Sequence, residues 1–499
     1  MSIHKQLLPV LSILLLVCIH RSTTADITVI KGRDIRPRGA SPVGESGTIY
    51  KIVVTPAKET MPAFRYRFST PPHKTIAGNA VTHYLRSLGE RGLSFPWKAA
   101  YDETDGKVDD WYSLDTKTAD IPLDQLKKYS GYFDNIVNNH LRRASMCRNA
   151  DWGLAVEDLR GMEAIEFLLP SVQETRSMAR ALQLQLRLAI IEKRFDDAVE
   201  LLRMTYQLGQ DVNEFGVLVT SLVGCSEVNI ANGGVLQFIS TEGSPNLYWA
   251  LAELPTPIID QRFATRLDLS MPMRIFPELM DIRNVTHSKD EWKRLLRQYT
   301  EDASKLREMV KNSPNPQRST NGDVMSLGFG LAGYSGAKKR MVQRGYTEDQ
   351  IKLMCVSQVI LMDAAFDIEH FSQAFEKTYY VPFEKSQEAA NRIRQTIDDA
   401  AKTRLGAMIT DILAPPTLVV REAGIRSDAG IHRLMVVESL RNHAAVHGEF
   451  PESLESLELP VRVNPMTGKP FTYSLENGTA VIVFKRGSSL ERFEISIKK

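Results

Sequence analysis

The chain has 499 residues, of which 43% are apolar, and its 62 basic side chains nearly balance 60 acidic ones. This length and apolar content suffice for two or three domains with buried cores. Because a near-neutral chain lacks the excess positive charge of nucleic-acid-binding and polybasic membrane-surface proteins, we expect neither kind of partner.

The first 25 residues have the layout of a secretory signal peptide. Charged residues precede an apolar run from Leu7 to Ile19, and small residues lead up to Ala25. The run is shorter than the roughly 20 apolar residues of a transmembrane helix. We therefore expect a secreted or periplasmic protein whose leader, residues 1–25, is cleaved, and an uncleaved N-terminal anchor is the alternative.

Three cysteines follow the leader, namely Cys147, Cys225 and Cys355. Their wide spacing differs from the dense cysteine frameworks of small secreted domains. Either one disulfide forms and one thiol stays free, or, in the interpretation we favour, all three are buried as small apolar side chains.

The body of the chain is predicted to be helical. Residues 26–60, rich in Gly, Pro, Arg and β-branched residues, predict an extended and partly mobile lead-in. Helical patterns prevail from 61 to 311, with breakers such as Pro71-Pro72 between them. We assign 61–311 to one helical domain.

Within that domain, residues 172–212 predict a helical hairpin. Phe195 and Ala198 lie in the predicted turn, residues 194–198, as at the centre of a tetratricopeptide hairpin, where they let two helices approach closely. The glycine of that pattern is replaced by Lys193 and Arg194, and no second copy recurs at the period of about 34 residues. Because a lone repeat cannot bury its apolar face, we expect the hairpin to be embedded in a larger helical array.

The C-terminal third contains three further predicted parts. Residues 312–335 form a loop or linker, and 336–413 form a helical segment packed on the body. After a connection over 414–428, residues 431–499 predict a small α+β module, with a helix that ends at Gly448 and two short strands. The predicted fold is thus mainly α, an irregular bundle or short solenoid with one tetratricopeptide-like hairpin and a small C-terminal α+β module.

The sequence resembles two known protein families. The run LRNHAAVHGEFPESLESL and the later NPMTGKPFTY resemble the soluble C-terminal module of type II secretion pseudopilins. The resemblance implies a similar small domain but no pilus subunit, because the polymerisation helix of a pseudopilin does not directly precede this one. Blocks such as SMCRNADW and PNLYWALAELPTPIID resemble an uncharacterised family of signal-peptide-bearing proteins in planctomycete-type bacteria. That resemblance implies the compartment and architecture but supplies no catalytic residue.

A weak metal-site candidate lies on the C-terminal helix. His443 and His447 are one turn apart, and His432 is predicted to share their face. Two such imidazoles can chelate zinc, with Glu449 as a third ligand. The alternative is that His447 interacts with the helix dipole and His443 is simply exposed. We expect no cofactor.

Three other motifs are candidate chemical sites. The glycines from Gly328 to Gly333 match the bare dinucleotide fingerprint but follow no predicted strand, which favours close helix packing. Ser335 lies in an incomplete nucleophile elbow. Cys147 lies among arginines that would lower its thiol pKa if it were exposed, with His140 as a base, although a buried structural cysteine beside Trp152 is the favoured interpretation.

The sequence therefore favours a non-catalytic secreted or periplasmic protein that acts in protein–protein interaction or envelope scaffolding, with an envelope or secreted protein as its partner. The alternative is an extracytoplasmic hydrolase or thiol enzyme whose site lies near Cys147 or Ser335. A third hypothesis is a periplasmic binder of a small ligand in a helical concavity.

Overall fold

A computed structural model of the protein describes residues 27–32, 47–89, 92–112, 116–117, 120–161, 170–311, 333–413, 417–486 and 489–498. The protein is mainly α-helical, at 61% helix, and carries a small C-terminal α+β module. Among the described helices, none has the length and apolarity that crossing a membrane requires. The predicted leader, most of the predicted 312–335 linker and the glycines at 328–330 lie outside the described residues.

Five strands form the main sheet, in the order β1-β2-β7-β6-β5. They are Ile27–Gly32 (β1), Gly47–Val54 (β2), Thr472–Glu476 (β5), Thr479–Arg486 (β6) and Ser489–Ile497 (β7). Strand β2 runs parallel to β7, whereas the other neighbours are antiparallel. A second, two-stranded sheet joins Ile76–Asn79 (β3) to Cys147–Asn149 (β4).

Residues 26–60, predicted as an extended and partly mobile lead-in, contribute two strands to the main sheet. Strands β1 and β2 lie in this range, and Ile52 and Val54 are fully buried. Tyr50 stacks on Phe493 of β7 with ring centroids 4.6 Å apart. The N-terminal strands therefore complete the sheet of the C-terminal module, which has three strands of its own where the sequence predicted two.

Short helices come first, and three long ones, of which the first two form the hairpin, follow in succession. They are Ala80–Ser87 (α1), Ser94–Thr104 (α2), Val108–Trp111 (α3), Leu123–Gly131 (α4), Asp134–Ile136 (α5), Arg142–Ala144 (α6), Pro170–Ile191 (α7), Phe195–Asn213 (α8) and Leu218–Ile239 (α9). A π-helical turn, Val137–Leu141, joins α5 to α6.

The second half of the chain is helical up to the sheet. Its helices are Tyr248–Ala252 (α10), Arg262–Leu269 (α11), Met271–Ile275 (α12), Lys289–Lys311 (α13), Tyr334–Gln343 (α14), Glu348–Leu353 (α15), Val356–Thr378 (α16), Phe383–Ala400 (α17), Leu405–Leu413 (α18) and Thr417–His447 (α19).

Helices α7 and α8 form the hairpin, and its turn is a Schellman motif. The N–H of Arg194 donates to the carbonyl of Ala189 at 2.8 Å, and that of Lys193 to Ile190 at 3.0 Å. Lys193 has a φ of 56°, the left-handed conformation that glycine adopts at little cost. After the turn, Phe195 packs edge-on against Phe238 of α9. The lysine thus occupies the position at which the repeat pattern expects glycine.

Helices α8 and α9 touch through their backbones. A Cβ added to Gly224 would lie 2.4 Å from the carbonyl oxygen of Gly209, and one added to Gly234 would lie 2.5 Å from Leu186. The backbone contact excludes any side chain larger than hydrogen at Gly224, whereas at Gly234 the end of the Leu186 side chain would have to shift. The three helices α7, α8 and α9 therefore form one closely packed unit.

Helix α19 packs against α9 and α10, so the C-terminal module shares one hydrophobic core with these helices. Helix α19 begins at Thr417, so most of the predicted 414–428 connection is helical and does not link a freely moving module. Asp428 is buried and accepts the N–H of Ile258 at 2.8 Å. The helix ends where predicted, because Gly448, at φ 85°, follows it.

A second hydrophobic core lies between 275 and 412. Trp292, Leu295 and Tyr299 of α13 pack there with residues of α14, α16 and α18. Helix α13, at the end of the predicted 61–311 domain, therefore shares a core with helices of the predicted 336–413 segment.

A buried ion pair on α19 joins three parts of the chain. Glu438 and Arg441 have no side-chain exposure, and Arg441 Nη1 lies 2.7 Å from Glu438 Oε2. Arg441 also donates to the carbonyls of Thr55 at 2.9 Å and Ser244 at 2.8 Å. Glu438 accepts the N–H of Leu247 at 2.9 Å. The end of β2, the turn before α10 and α19 thus meet at one pair of charges.

Lys193→Gly should stabilise the protein by about 1 kcal/mol, because glycine removes the steric cost of a left-handed residue. Urea denaturation of the full chain measures the change. Lys193→Ala is the control, since it removes the side chain but keeps the Cβ, and should give no gain. Equal stabilisation by both variants would contradict the backbone explanation.

Arg441→Met should cost about 3–5 kcal/mol of unfolding free energy, because it leaves the Glu438 carboxylate buried and unpaired. The double variant Glu438→Gln/Arg441→Met leaves no buried charge and should lose less than the single variant. Urea denaturation of both tests this, and a double variant as unstable as the single one would refute the ion-pair argument.

Candidate functional site

The structure brings His443 and His447 together with one carboxylate, that of Glu458. The N–H of His443 Nδ1 donates to Glu458 Oε1 at 3.1 Å, and that of His447 Nε2 to the same oxygen at 2.7 Å. The two imidazole rings lie 4.2 Å apart between centroids. Among the described residues, these three donors form the group of His, Cys, Asp and Glu that could hold a metal ion.

The two other residues considered for this cluster lie outside it. Glu449, the predicted third ligand, is not part of it, and Glu458 takes its place. His432 is buried, and its Nδ1 lies 2.8 Å from the carbonyl oxygen of Val463 instead. Glu458 was missed because it belongs to the irregular segment after α19, which carries no periodic pattern.

The segment that carries Glu458 is anchored to α19. Ser439 donates to the carbonyl of Leu459 at 2.9 Å, and the side-chain amide of Asn442 reaches Glu458 Oε2 at 3.5 Å. Partial burial opposes ionisation of Glu458, but hydrogen bonds from its own backbone and from His447 hold its pKa below the usual value. The carboxylate is therefore charged and fixed, a form suited to binding a cation.

Cys147 does not have the predicted reactive environment. Its thiol donates to the carbonyl oxygen of Arg143 at 3.4 Å, and not to His140. Burial, together with the charge of Asp211, raises the pKa of the Cys147 thiol instead of lowering it. Arg142 forms an ion pair with Glu200 at 2.6 Å. A thiolate nucleophile is thus disfavoured here.

The other two cysteines are also unbridged. Cys225 is buried and Cys355 is half-buried, and neither they nor Cys147 form a disulfide.

Ser335 lies at the second position of α14 and is exposed. In the described part of the chain, no imidazole or carboxylate forms a hydrogen bond with its hydroxyl. Ser335 therefore lacks the base that would activate a serine nucleophile.

Three arginines surround two buried aspartates in the second core. Asp363 accepts hydrogen bonds from Arg340 at 3.0 Å and Arg344 at 2.5 Å. Asp367 accepts from Arg344 at 2.7 Å and Arg404 at 2.7 Å. Glu369 lines the same cavity and is paired with Arg283 at 3.1 Å. Four arginines thus face three carboxylates, and one positive charge remains in excess.

A cavity of about 470 Å³ opens beside these arginines, which line it. Arg344 lies over the ring of Phe366 and Arg404 over that of Phe371, at 4.9 and 5.8 Å from the ring centroids. A second cavity of about 290 Å³ shares three of the lining residues, His370, Phe371 and Thr396. We call the two cavities together the arginine groove. Its residues were missed in the sequence, although Arg340/Arg344 and Asp363/Asp367 are each four residues apart, a spacing that aligns like charges on one helix face.

Two carboxyl groups are buried inside the α8–α9 unit. Asp211 accepts the Tyr84 hydroxyl at 2.7 Å and the Gln207 amide at 2.8 Å, and burial nevertheless raises its pKa to about 7. Burial raises the pKa of Glu227 to about 8, although Thr175 and Arg176 oppose the shift. Both groups therefore bind protons more tightly in the folded protein than in the unfolded chain.

Comparison of this chain with protein-family models, with curated proteins and with solved structures gave no match. The sites are therefore interpreted from their geometry.

Glu227→Gln should flatten the pH dependence of stability. A carboxyl whose folded pKa is raised stabilises the protein fully below its unfolded pKa, near 4.5, and this stabilisation is lost as pH rises toward about 8. The slope is about 1.4 kcal/mol per pH unit within that window. Urea denaturation between about pH 5 and pH 8 should show the smaller slope in the variant.

Glu301→Gln, at an exposed position on α13, is the matched control and should show the same pH dependence of stability as the wild type. Parallel curves for Glu227→Gln and the wild type would contradict the buried-carboxyl argument.

Proposed function

We propose that this chain is a non-catalytic, extracytoplasmic helical protein that binds another protein through the arginine groove, and that the partner contributes an acidic segment. The observation that carries the proposal is the excess positive charge of Arg340, Arg344 and Arg404 over Asp363 and Asp367 beside an open cavity. Guanidinium groups bind carboxylates with paired, directional hydrogen bonds.

The guanidinium groups keep donors for such a ligand. The bonds to the aspartates use Nε and Nη2 of both Arg340 and Arg404. Those of Arg344 use Nη1 and Nη2. These bonds do not use Nη1 of Arg340, Nη1 of Arg404 or Nε of Arg344. The arginines are also held in place by the aspartates, so a ligand would meet a preformed site.

The shape of the groove favours a peptide. Its two cavities share His370, Phe371 and Thr396, so they continue into each other along α16 and α17. Phe366 and Phe371 provide apolar surface next to the charges. An extended segment with acidic and apolar side chains would match both features.

The extracytoplasmic compartment in this proposal rests on the signal-peptide layout of residues 1–25. The enzyme alternative has less support, because burial raises the thiol pKa of Cys147 and Ser335 has no activating base among the described residues. We also propose that the C-terminal α+β module is pseudopilin-like in form.

A photo-crosslinking residue at Thr396 should capture one defined protein in cells that make the full chain. Thr396 is exposed and lines the groove, whereas Asn391 is exposed on the opposite face of the same helix and serves as the control site. Mass spectrometry of the crosslinked product identifies the partner and the captured segment. We expect that segment to be rich in Asp and Glu, and the Asn391 probe to capture nothing in common.

The charge of the groove is tested by Gln343, an exposed lining residue. Gln343→Glu should abolish crosslinking from Thr396, because it cancels the excess positive charge, while Gln343→Lys should preserve it. Equal crosslinking in both variants would refute the electrostatic role. A groove that captures no protein but retains a small anion in native mass spectrometry would refute the partner proposal in favour of ligand binding.

A further inference from the structure

We propose that His443, His447 and Glu458 bind one zinc ion, with water as the fourth ligand. Two imidazoles and one carboxylate are a donor set that zinc accepts in sites with three protein ligands and an open position. The inference is independent of the arginine groove, which lies in the other hydrophobic core.

The donor atoms already converge. Tetrahedral zinc with bonds of about 2.0–2.1 Å places its ligand atoms about 3.3 Å apart. In the protein, Glu458 Oε1 lies 3.1 Å from His443 Nδ1 and 2.7 Å from His447 Nε2. The three donor atoms all lie within 4.8 Å of one another. Small side-chain rotations would thus open room for the ion at the centre.

The backbone beneath the donors is fixed. His443 and His447 occupy the last turns of α19, whose next residue, Gly448, bonds back to Ala444 at 2.9 Å. Ser439 holds the segment of Glu458 through Leu459. Because the supports are present without the ion, binding requires little ordering of the chain.

A hydrogen bond links this site to the N-terminal part of the chain. Asn442, which contacts Glu458 Oε2, accepts the N–H of Glu59 at 2.9 Å through its side-chain oxygen. Asn442 is itself buried. It therefore acts as a positioning residue that orients the carboxylate, as groups behind metal ligands commonly do.

The exposure of the donors leaves one side open to water. The side chain of His443 is 12% exposed, whereas those of His447 and Glu458 are 48% and 39% exposed. An ion can therefore enter from solvent and keep a water ligand. Two nitrogen donors favour zinc over calcium and magnesium, which take oxygen ligands.

The ligands come from the end of α19 and from the segment that leads to the sheet. A bound ion would therefore join the helix to that segment and stabilise the α+β module, because it binds only the folded arrangement. The role we infer for the ion is structural, because it would hold the helix and that segment together.

The test is titration calorimetry of the untagged, chelator-treated full chain with zinc chloride. We expect one equivalent to bind, and His447→Ala and Glu458→Gln each to weaken binding by at least about 100-fold, since the loss of even an outer positioning residue costs about 10–100-fold. Asn442→Ala should weaken binding by about tenfold. Zinc should also raise the melting temperature of the wild type but not of His447→Ala.

Two variants control for adventitious binding. His73→Ala removes an exposed histidine elsewhere, and Glu449→Gln removes the acid next to the helix end that lies outside the cluster. Both should bind zinc as the wild type does. His447 is half exposed, so its truncation should leave the fold intact, and circular dichroism of each variant verifies this. The proposal is overturned if the wild type binds no zinc at about 1 mM, or if His447→Ala binds as tightly as His73→Ala.

Discussion

The Glu438–Arg441 pair is the constraint on which the arrangement of the two chain ends depends. Both side chains are fully buried, and Arg441 is satisfied only when Thr55 and Ser244 present their carbonyls to it. A buried ion pair offsets the cost of leaving water only with near-complete hydrogen bonding. The exit of β2, the turn before α10 and helix α19 must therefore assemble together, which explains why the N-terminal strands are part of the C-terminal sheet.

The second core also contains ion pairs between arginine and a buried carboxylate, but its arginines are partly exposed. Asp363 and Asp367 are buried as deeply as polar residues of the first core, but their arginine partners are about a fifth exposed. In the first core the carbonyls and the carboxylate satisfy the guanidinium completely within the protein. In the second, guanidinium nitrogens remain outside the aspartate bonds at the edge of a cavity. The Glu438–Arg441 pair stabilises the fold, whereas the arginines of the second core can also bind a ligand.

Local patterns predicted the helical class, the α7–α8 hairpin and the end of α19, because helix periodicity, a turn after Ile191 and Gly448 are all short-range signals. They did not predict the β2–β7 pairing, whose partners lie at opposite ends of the chain. Residues 417–428 looked like a connection because they directly follow the helix-breaking Pro415 and Pro416. The histidines of the candidate metal site were identifiable by their four-residue spacing, but Glu458 belongs to an irregular segment and had no such signal.

The metal-site candidate and the buried ion pair are linked through consecutive residues of α19. Arg441 accepts the N–H of Ala57 with its backbone carbonyl, and its neighbour Asn442 accepts the N–H of Glu59. The residues after β2 therefore run along the helix toward the imidazoles, and Asn442 touches both this segment and Glu458. Since the same helix turn orients the carboxylate and fixes the N-terminal segment, an ion bound at Glu458 would tighten contacts between both ends of the chain. An ion bound at this site would therefore stabilise contacts between segments that are far apart in the sequence.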